Sequence, residues 1–294
     1  MKKKNESREQ LNIQLFLLCM LAALLCRRLG KISSLRIICG MLRTMIYVGV
    51  YIGWGISIYK RVIQKSVRNV LIFIAELIIF WFVVRTTKYF FTMDNQIARY
   101  LWYSYYIPML FIPVAVLQAA FFLGKSEEYR LPKWLKGVYI PTAVLVLLVL
   151  SNDLHQLVFS FPVGSAWSDS HYTYGWGYYV VLVWEVVCAL TAFVLMIYKC
   201  RHSQKKKYLP LFGIGAAVLY AVLFISGVAW VQEIGGDITA VLCLFFVGIL
   251  ESCVRCGLIQ TNTGYDQLLE VCTLGAQITD QNYNVCYASA NAMP

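Results

Sequence analysis

Seven stretches of this chain are so apolar and so long that water cannot be their solvent. They fall at roughly residues 44–59, 70–91, 99–123, 135–151, 176–199, 208–230 and 237–256, each bounded by charged or polar segments. A helix needs about 17–25 mostly apolar residues to cross a bilayer, and in lipid its backbone groups must be satisfied internally. The runs therefore predict an all-α polytopic membrane protein built on a seven-helix bundle. Composition agrees: of 294 residues, 60% are hydrophobic and 14% charged, where a soluble domain carries about 25% charged residues. So few charges cannot coat a soluble surface, which excludes a soluble enzyme or a nucleic-acid-binding domain. The net charge of +11 needs no nucleic acid, because Lys and Arg gather in cytoplasmic loops of membrane proteins.

The loops bear this out by alternating. Segment 60–69 carries Lys60, Arg61, Lys65 and Arg68; segment 124–136 carries Lys125, Arg130, Lys133 and Lys136; segment 199–207 carries Lys199, Arg201, Lys205, Lys206 and Lys207. Between them, loop 151–175 has no Lys or Arg, and loop 231–237 has only Glu233 and Asp237. The basic segments are expected in the cytoplasm, the others outside, and the C-terminus inside a multi-pass cell-membrane protein. The N-terminus resists this scheme. Residues 11–26 form another apolar run behind Lys2, Lys3 and Lys4, with Arg27 and Arg28 where a cleavage site would stand. If the run spans, segment 27–43 faces out despite Arg27, Arg28, Lys31, Arg36 and Arg43; if it lies along the interface, the leading lysines are misplaced. The expected architecture is thus seven core spans, with an additional N-terminal helix left open.

Prolines and glycines mark the spans. Pro108 and Pro113 are expected to kink the third one. Gly49 and Gly53 form a G-x-x-x-G that reads as a packing contact within the bundle. Trp102, Tyr103, Tyr105 and Tyr106 on one span, and Trp176, Tyr178 and Tyr179 on another, read as interfacial aromatics at the outer side.

No catalytic constellation is present: there is no H-E-x-x-H, G-x-S-x-G or Walker loop, and only three histidines. The cysteines avoid the outer loop, so they form no oxidised framework. The lone Cys253/Cys256 C-x-x-C lacks a second ligand pair, and no metal or cofactor is expected. The outer loop is longer than a connection needs. Its polar and aromatic groups, Asn152, Asp153, His155, Trp167, Asp169, His171 and Tyr174, are candidate ligand-binding residues. The plainer reading is a cap whose Asn and Asp terminate helices. Glu76 and Glu185 lie inside spans, where an ionised carboxylate costs about 3 kcal/mol or more. Each must face the bundle, find a partner or stay protonated, as part of a polar cavity, a latch or a hydrogen-bonded core.

After Arg255 the composition changes. Gly257 to Gly264 reads as a flexible connector, then Y-D-Q-L-L-E-V-C-T-L as a helix at 265–274, A-Q-I-T-D as a strand, Gln281–Asn284 as a turn and V-C-Y-A-S-A-N-A as a second strand. Two strands cannot stand as a domain. This tail resembles the opening of a PAS domain. Upstream, N-x-x-H-x-x-V (Asn152, His155, Val158) and Y-G-x-G-Y (Tyr174 to Tyr178), followed by spans and G-L-I-Q-T-N-T-G-Y-D, resemble the N-terminal seven-helix sensor region of bacterial membrane histidine kinases. The resemblance implies four segments: 1–43, basic and apolar; 44–256, a seven-transmembrane sensor bundle; 257–264, a connector; 265–294, an incomplete α+β PAS-like segment. It implies a sensory input module for a small-molecule or membrane signal in a two-component system. The module works as a homodimer in the lipid bilayer, with downstream kinase or response-regulator partners. The chain itself is no enzyme, and a kinase core lies outside it. Glu251 and Arg255, spaced i, i+4 at the end of the last span, and Gly257 beyond them are expected to couple bundle to tail. The alternatives are a small secondary transporter of the inner membrane, which predicts internal repeats, and an intramembrane enzyme.

Overall fold

The computed structural model describes residues 2–90, 95–123, 129–162, 171–199, 209–235 and 238–256, with 125, 258–259, 261, 275, 277–279, 283 and 285–288; the side chains of 2–13, 33, 209, 234–235, 278 and 286–288 are not among them. Its helices are α1 (Lys2–Leu29), α2 (Arg36–Arg61), α3 (Lys65–Phe90), α4 (Asn95–Tyr103), α5 (Tyr106–Phe122), α6 (Lys133–Gly137), α7 (Tyr139–Leu150), α8 (Asn152–His155), α9 (Trp176–Lys199), α10 (Leu209–Ile225), α11 (Ala229–Gly235) and α12 (Ile238–Arg255). Two small antiparallel hairpins complete it: β1 (Phe159–Ser160) with β2 (Thr173–Tyr174), and β3 (Gln277–Thr279) with β4 (Val285–Ala288). The second hairpin matches the strand–turn–strand reading of the tail. The expected helix at 265–274 lies outside the described residues.

Among the described residues, six helical stretches are long and apolar enough to cross a membrane: Arg36–Arg61, Lys65–Phe90, Asn95–Phe122, Lys133–Leu150, Trp176–Lys199 and Ile238–Arg255. They coincide with six of the seven apolar runs. The remaining run, 208–230, folds as the shorter α10. Its 17 residues reach about 25 Å at 1.5 Å per residue, short of a core about 30 Å thick. The helix stops because Gly227 takes the left-handed conformation (φ 76°). The Val228 N–H then returns to the Leu223 carbonyl, which closes the last turn.

Proline decides where two spans break. A proline at position i cannot donate to the carbonyl at i−4 and crowds it. Pro108 thereby frees Ser104, and the chain breaks between α4 and α5 at Ser104–Tyr105. Pro141 frees Gly137, and α6 and α7 part at Val138. Pro113 stays inside α5 without ending it. Where a kink in the third span is expected, the helix is interrupted outright, four residues before the first proline.

The main core lies between α2, α3, α5 and α12, around the fully buried Tyr51, Ile58, Leu71, Ile74, Ile78 and Phe82. A second, aromatic core surrounds Phe159 beneath the first hairpin. Outward the bundle is apolar: Ile140, Val144 and Leu147 on α7, and Val183, Leu190 and Val194 on α9, are all exposed. Faces of that kind require lipid. The chain is a multi-pass membrane protein. One packing expectation is overturned. A side chain added at Gly49 or Gly53 would meet nothing within 4 Å, so that G-x-x-x-G makes no contact inside the bundle. Close helix contacts are made instead by Gly40, against the Phe90 ring, and Gly213, against Ile249.

Candidate functional site

At one end of the bundle, the two sequence motifs at 152–158 and 174–178 fold into a single knot. Asn152 is fully buried. Its Oδ1 accepts the backbone N–H of Val158 and of Phe159, both at 3.0 Å. Its Nδ2 donates to the Phe159 carbonyl at 2.8 Å and to the Tyr103 hydroxyl at 3.2 Å. Two donors and two acceptors are thus satisfied by one amide, and its orientation follows. His155 Nδ1 accepts the Leu157 N–H at 3.0 Å, which leaves the proton on Nε2, 3.1 Å from the Leu148 carbonyl. Gly175 and Gly177 meet the same turn from the other side. Their N–H groups donate to the Val158 and Leu157 carbonyls, and a side chain at Gly175 would overlap the Leu157 carbonyl. Asn, His and the two glycines are therefore the residues that let strand, turn and the start of α9 approach so closely.

Asp153 faces the other way. It receives the Tyr103 hydroxyl at 2.7 Å and pairs with Arg99 on α4 at 2.8 Å. Above the knot, Trp102, Tyr172, Tyr174 and Tyr178 ring Phe159, with Tyr174 stacked on Tyr178 at 4.0 Å between centroids. An open concavity lined by Ser160, Phe161, Pro162, His171, Tyr172 and Thr173 lies on the loop's outer surface. The sequence-derived candidates thus divide. Asn152, Asp153 and His155 are engaged in holding the loop, His171 and Tyr174 are exposed, and Trp167 and Asp169 lie outside the described residues. At the same end, Glu233 on α11 accepts Arg28 at 2.7 Å and Lys31 at 3.2 Å from the α1–α2 junction. The hydrogen bonds from Lys31 and Arg28 hold its carboxyl below the usual carboxylate range.

The two intramembrane acids are not brought together. Glu76 is exposed on α3, at the surface of the bundle rather than in its interior. Glu185 is half-buried on α9, and its Oε1 is buried with no hydrogen-bond partner among the described residues.

At the opposite end stands an ion-pair hub. Arg61, the last residue of α2, grips Glu251 on α12 with both terminal guanidinium nitrogens, at 2.8 and 2.7 Å. Trp54 Nε1 adds a bond at 3.3 Å, and Arg255 Nε reaches the same carboxylate at 2.9 Å. Beyond α12 the chain turns inward: Leu258 and Ile259 are buried, and Thr261 forms an antiparallel bridge with Val62. The connector expected to be flexible is thus anchored at these positions, while Gly257 itself lies outside the described residues. Gln64 donates to the carbonyls of Phe122 and Lys125, and Lys199 to those of Ala120 and Phe121. The described parts of the three basic segments therefore gather at this one end.

Residues 15–254 match the family described as the N-terminal 7TM region of histidine kinase. The chain belongs to that family. No curated protein and no solved structure matches it. As a histidine-kinase 7TM region, it is a sensor domain and not the catalytic kinase core, and no catalytic domain is identified in it. Among the described residues, no three His, Cys, Asp or Glu side chains come together as a metal site. The C-x-x-C pair is buried, with Cys256 Sγ against the Cys253 carbonyl at 3.5 Å.

The 7TM region holds Glu251 in a way that sequence spacing only half reveals. The i, i+4 partner Arg255 is present as expected, but it is the more exposed of the two arginines. Arg61, 190 positions away, makes the bidentate contact. The one available signal was its position: a basic residue closing the first span on the same side as Glu251.

Proposed function

We propose that this 7TM region reads a small-molecule or membrane signal at its aromatic, loop-covered end. It then passes the response through α12 to a cytoplasmic, PAS-like segment and from there to a kinase core. The observation that carries this reading is the Glu251 hub, since α12 leaves the bundle tied to α2 by a bidentate ion pair and by the Val62–Thr261 bridge. A ligand shifts an equilibrium only through its different affinity for two states. A helix end held by a few charge-assisted bonds offers two such states, one with the clamp made and one with it broken. The exposed His171 and Tyr174, with Trp167 and Asp169 of the same loop, are the residues left to receive the signal. Asn152, Asp153 and His155 position them.

In this reading the end bearing Lys60, Arg61, Lys125 and Lys199 is cytoplasmic, in line with the positive-inside rule. The N-terminal lysines share that side if α1 crosses. The exposed Leu15, Leu18, Leu21 and Leu25 on α1 support such a crossing. The module acts as a homodimer, with response-regulator components downstream. The test is a fusion of the chain to a histidine-kinase core, with autophosphorylation measured in membrane vesicles. Glu251→Gln and Arg61→Gln should each change basal phosphorylation in the same direction and by several-fold. If both leave it at the wild-type level, α12 does not carry the output.

A further inference from the structure

The outward surface of α2 and α3 carries a group that nothing inside the chain answers: a carboxyl at mid-span. Glu76 stands near the middle of α3, whose 26 residues make one of the membrane-length helices. It is exposed, and it has no hydrogen-bond or ion-pair partner among the described residues. Ionised, a carboxyl is costly in hydrocarbon; neutral, it still carries a donor and an acceptor that lipid tails cannot satisfy. Such residues in spans almost always face a protein interior or pair with one another. The outward stripe Ile140, Val144 and Leu147 of α7 makes no such demand, since it is wholly aliphatic and lipid suffices for it.

The surface around Glu76 is patterned. On α3 the exposed Asn69, Phe73, Glu76, Phe80 and Val83 follow alternating steps of four and three. On α2 the exposed Leu42, Met45, Gly49, Ile52 and Ile56 follow steps of three and four. Steps alternating in this way give a stripe of period 3.5, the spacing at which one helix packs along another. Both stripes lie on the same side of the helix pair. α2 meets α3 through Thr44 and Gly55, and α12 through Trp54 and Arg61, and its exposed stripe occupies the opposite arc. On α3, Ala75 and Thr86 meet α2 while Ile74 and Ile78 enter the core, which again leaves the exposed stripe opposite.

The antiparallel register fixes the depths. Thr44 Oγ1 lies 2.9 Å from Thr86 Oγ1, and a side chain added at Gly55 would come 3.6 Å from the Ala75 Cβ. Gly53 therefore sits at the depth of Leu77, one position from Glu76. There α2 presents Gly49 and Gly53 with open space above both. Small residues at this spacing let a second helix backbone approach closely. A second copy of the chain fits the surface by symmetry. A twofold axis along the membrane normal keeps each residue at its own depth, so Glu76 meets the partner's Glu76 and the glycine pair meets its counterpart. Two carboxyl groups held together share a proton, and each supplies what the other lacks. A foreign span would need its own donor at this one depth. We propose that two copies of this chain associate through the α2–α3 face, with their Glu76 carboxyls meeting beside Gly53. The inference rests on the homodimer of the sensory reading and supplies its surface. Because α2 ends in Arg61, the contact between copies and the clamp on α12 then share one helix.

The test uses the full chain in phosphatidylcholine vesicles at graded protein-to-lipid ratios, with copies counted by single-molecule photobleaching. Glu76→Leu should weaken association by about threefold to twentyfold, the range of polar contacts between helices in membranes. Glu76→Gln, which keeps a donor and an acceptor, should stay within about twofold of the wild type. Gly49→Leu with Gly53→Leu should weaken association by about tenfold or more, although neither side chain meets anything within its own chain. In vesicles and in cell membranes, a photo-crosslinking residue at the exposed Ile52 should join two copies, and one at Leu147 on α7 should not. Should the leucine variants insert poorly, the crosslinks in the otherwise native chain decide. A dimer that no variant weakens, or that crosslinks through Leu147 and not Ile52, overturns the proposed surface while the homodimer stands. A chain that is monomeric at every density removes the homodimer and the surface together. Crosslinking at Ile52 only to a different membrane protein overturns the inference in favour of a foreign span.

Discussion

Removing Arg61 should cost far more than removing Arg255, although both touch the same carboxylate. Arg61 makes two parallel bonds to Glu251, at 2.8 and 2.7 Å, and the two side chains keep only 23% and 20% of their exposure. Hydrogen bonds to a charged group contribute about 1.5–3 kcal/mol in mutational series, and partial exposure offsets some of that through solvent screening. Arg61→Ala is therefore expected to destabilise the bundle by about 2 kcal/mol. Arg255 is 49% exposed, and Arg255→Ala should cost about 0.3–0.5 kcal/mol, as an exposed i, i+4 pair does. Glu251→Ala strands the Arg61 fork and the Trp54 N–H together, and should cost about 3 kcal/mol. The assay is reversible unfolding of the purified chain in mixed micelles, arranged as a double-mutant cycle on Arg61 and Glu251. The expected coupling energy is about 1.5 kcal/mol, well outside the roughly 0.3–0.5 kcal/mol scatter of independent sites. A coupling inside that scatter, or equal losses for the two arginines, refutes the claim that the contact between helices dominates the hub.

Four further outcomes are expected. Asn152→Ala should expose the loop 156–175 to limited proteolysis and cost about 2–4 kcal/mol, because buried backbone groups of Val158 and Phe159 lose their partner; Asn152→Asp, which keeps the acceptor, should lie between. Gly175→Ala should be as damaging to loop protection in hydrogen exchange, since the added methyl meets the Leu157 carbonyl, whereas Gly49→Ala should leave stability and protection unchanged. Glu233 has a depressed pKa in the folded state, so its pairing supports folding above the unfolded-state pKa and is lost as pH falls through the lower folded value; an NMR titration of its carboxyl should place the midpoint below that of an unstructured glutamate, and Lys31→Ala should raise it. A reporter fused at Ser203 should behave as cytoplasmic and one at Ser165 as extracytoplasmic, and reversal of both would end the orientation proposed for the bundle.

Hydropathy alone fixed the membrane class and the approximate limits of the spans, because the cost of placing a charge or an unpaired backbone group in lipid is a property of each segment by itself. Proline did the same for the breaks at Ser104 and Val138, acting on a carbonyl four residues away. The motifs around Asn152, His155, Gly175 and Gly177 were visible in the sequence as well, and so was the loop they belong to. Tertiary structure alone decided their roles. Side chains that looked available to a ligand are engaged on the backbone of a neighbouring turn, and which carbonyl faces an amide depends on how the loop folds back. The same holds for Arg61 with Glu251. Their meeting depends on which helices are neighbours and how each is rotated about its axis. In a chain whose spans are apolar on nearly every face, hydropathy carries no preference for one rotation over another. That choice falls to the fit of particular side chains, such as Phe90 over Gly40, and to the few polar groups that must find each other across the bundle.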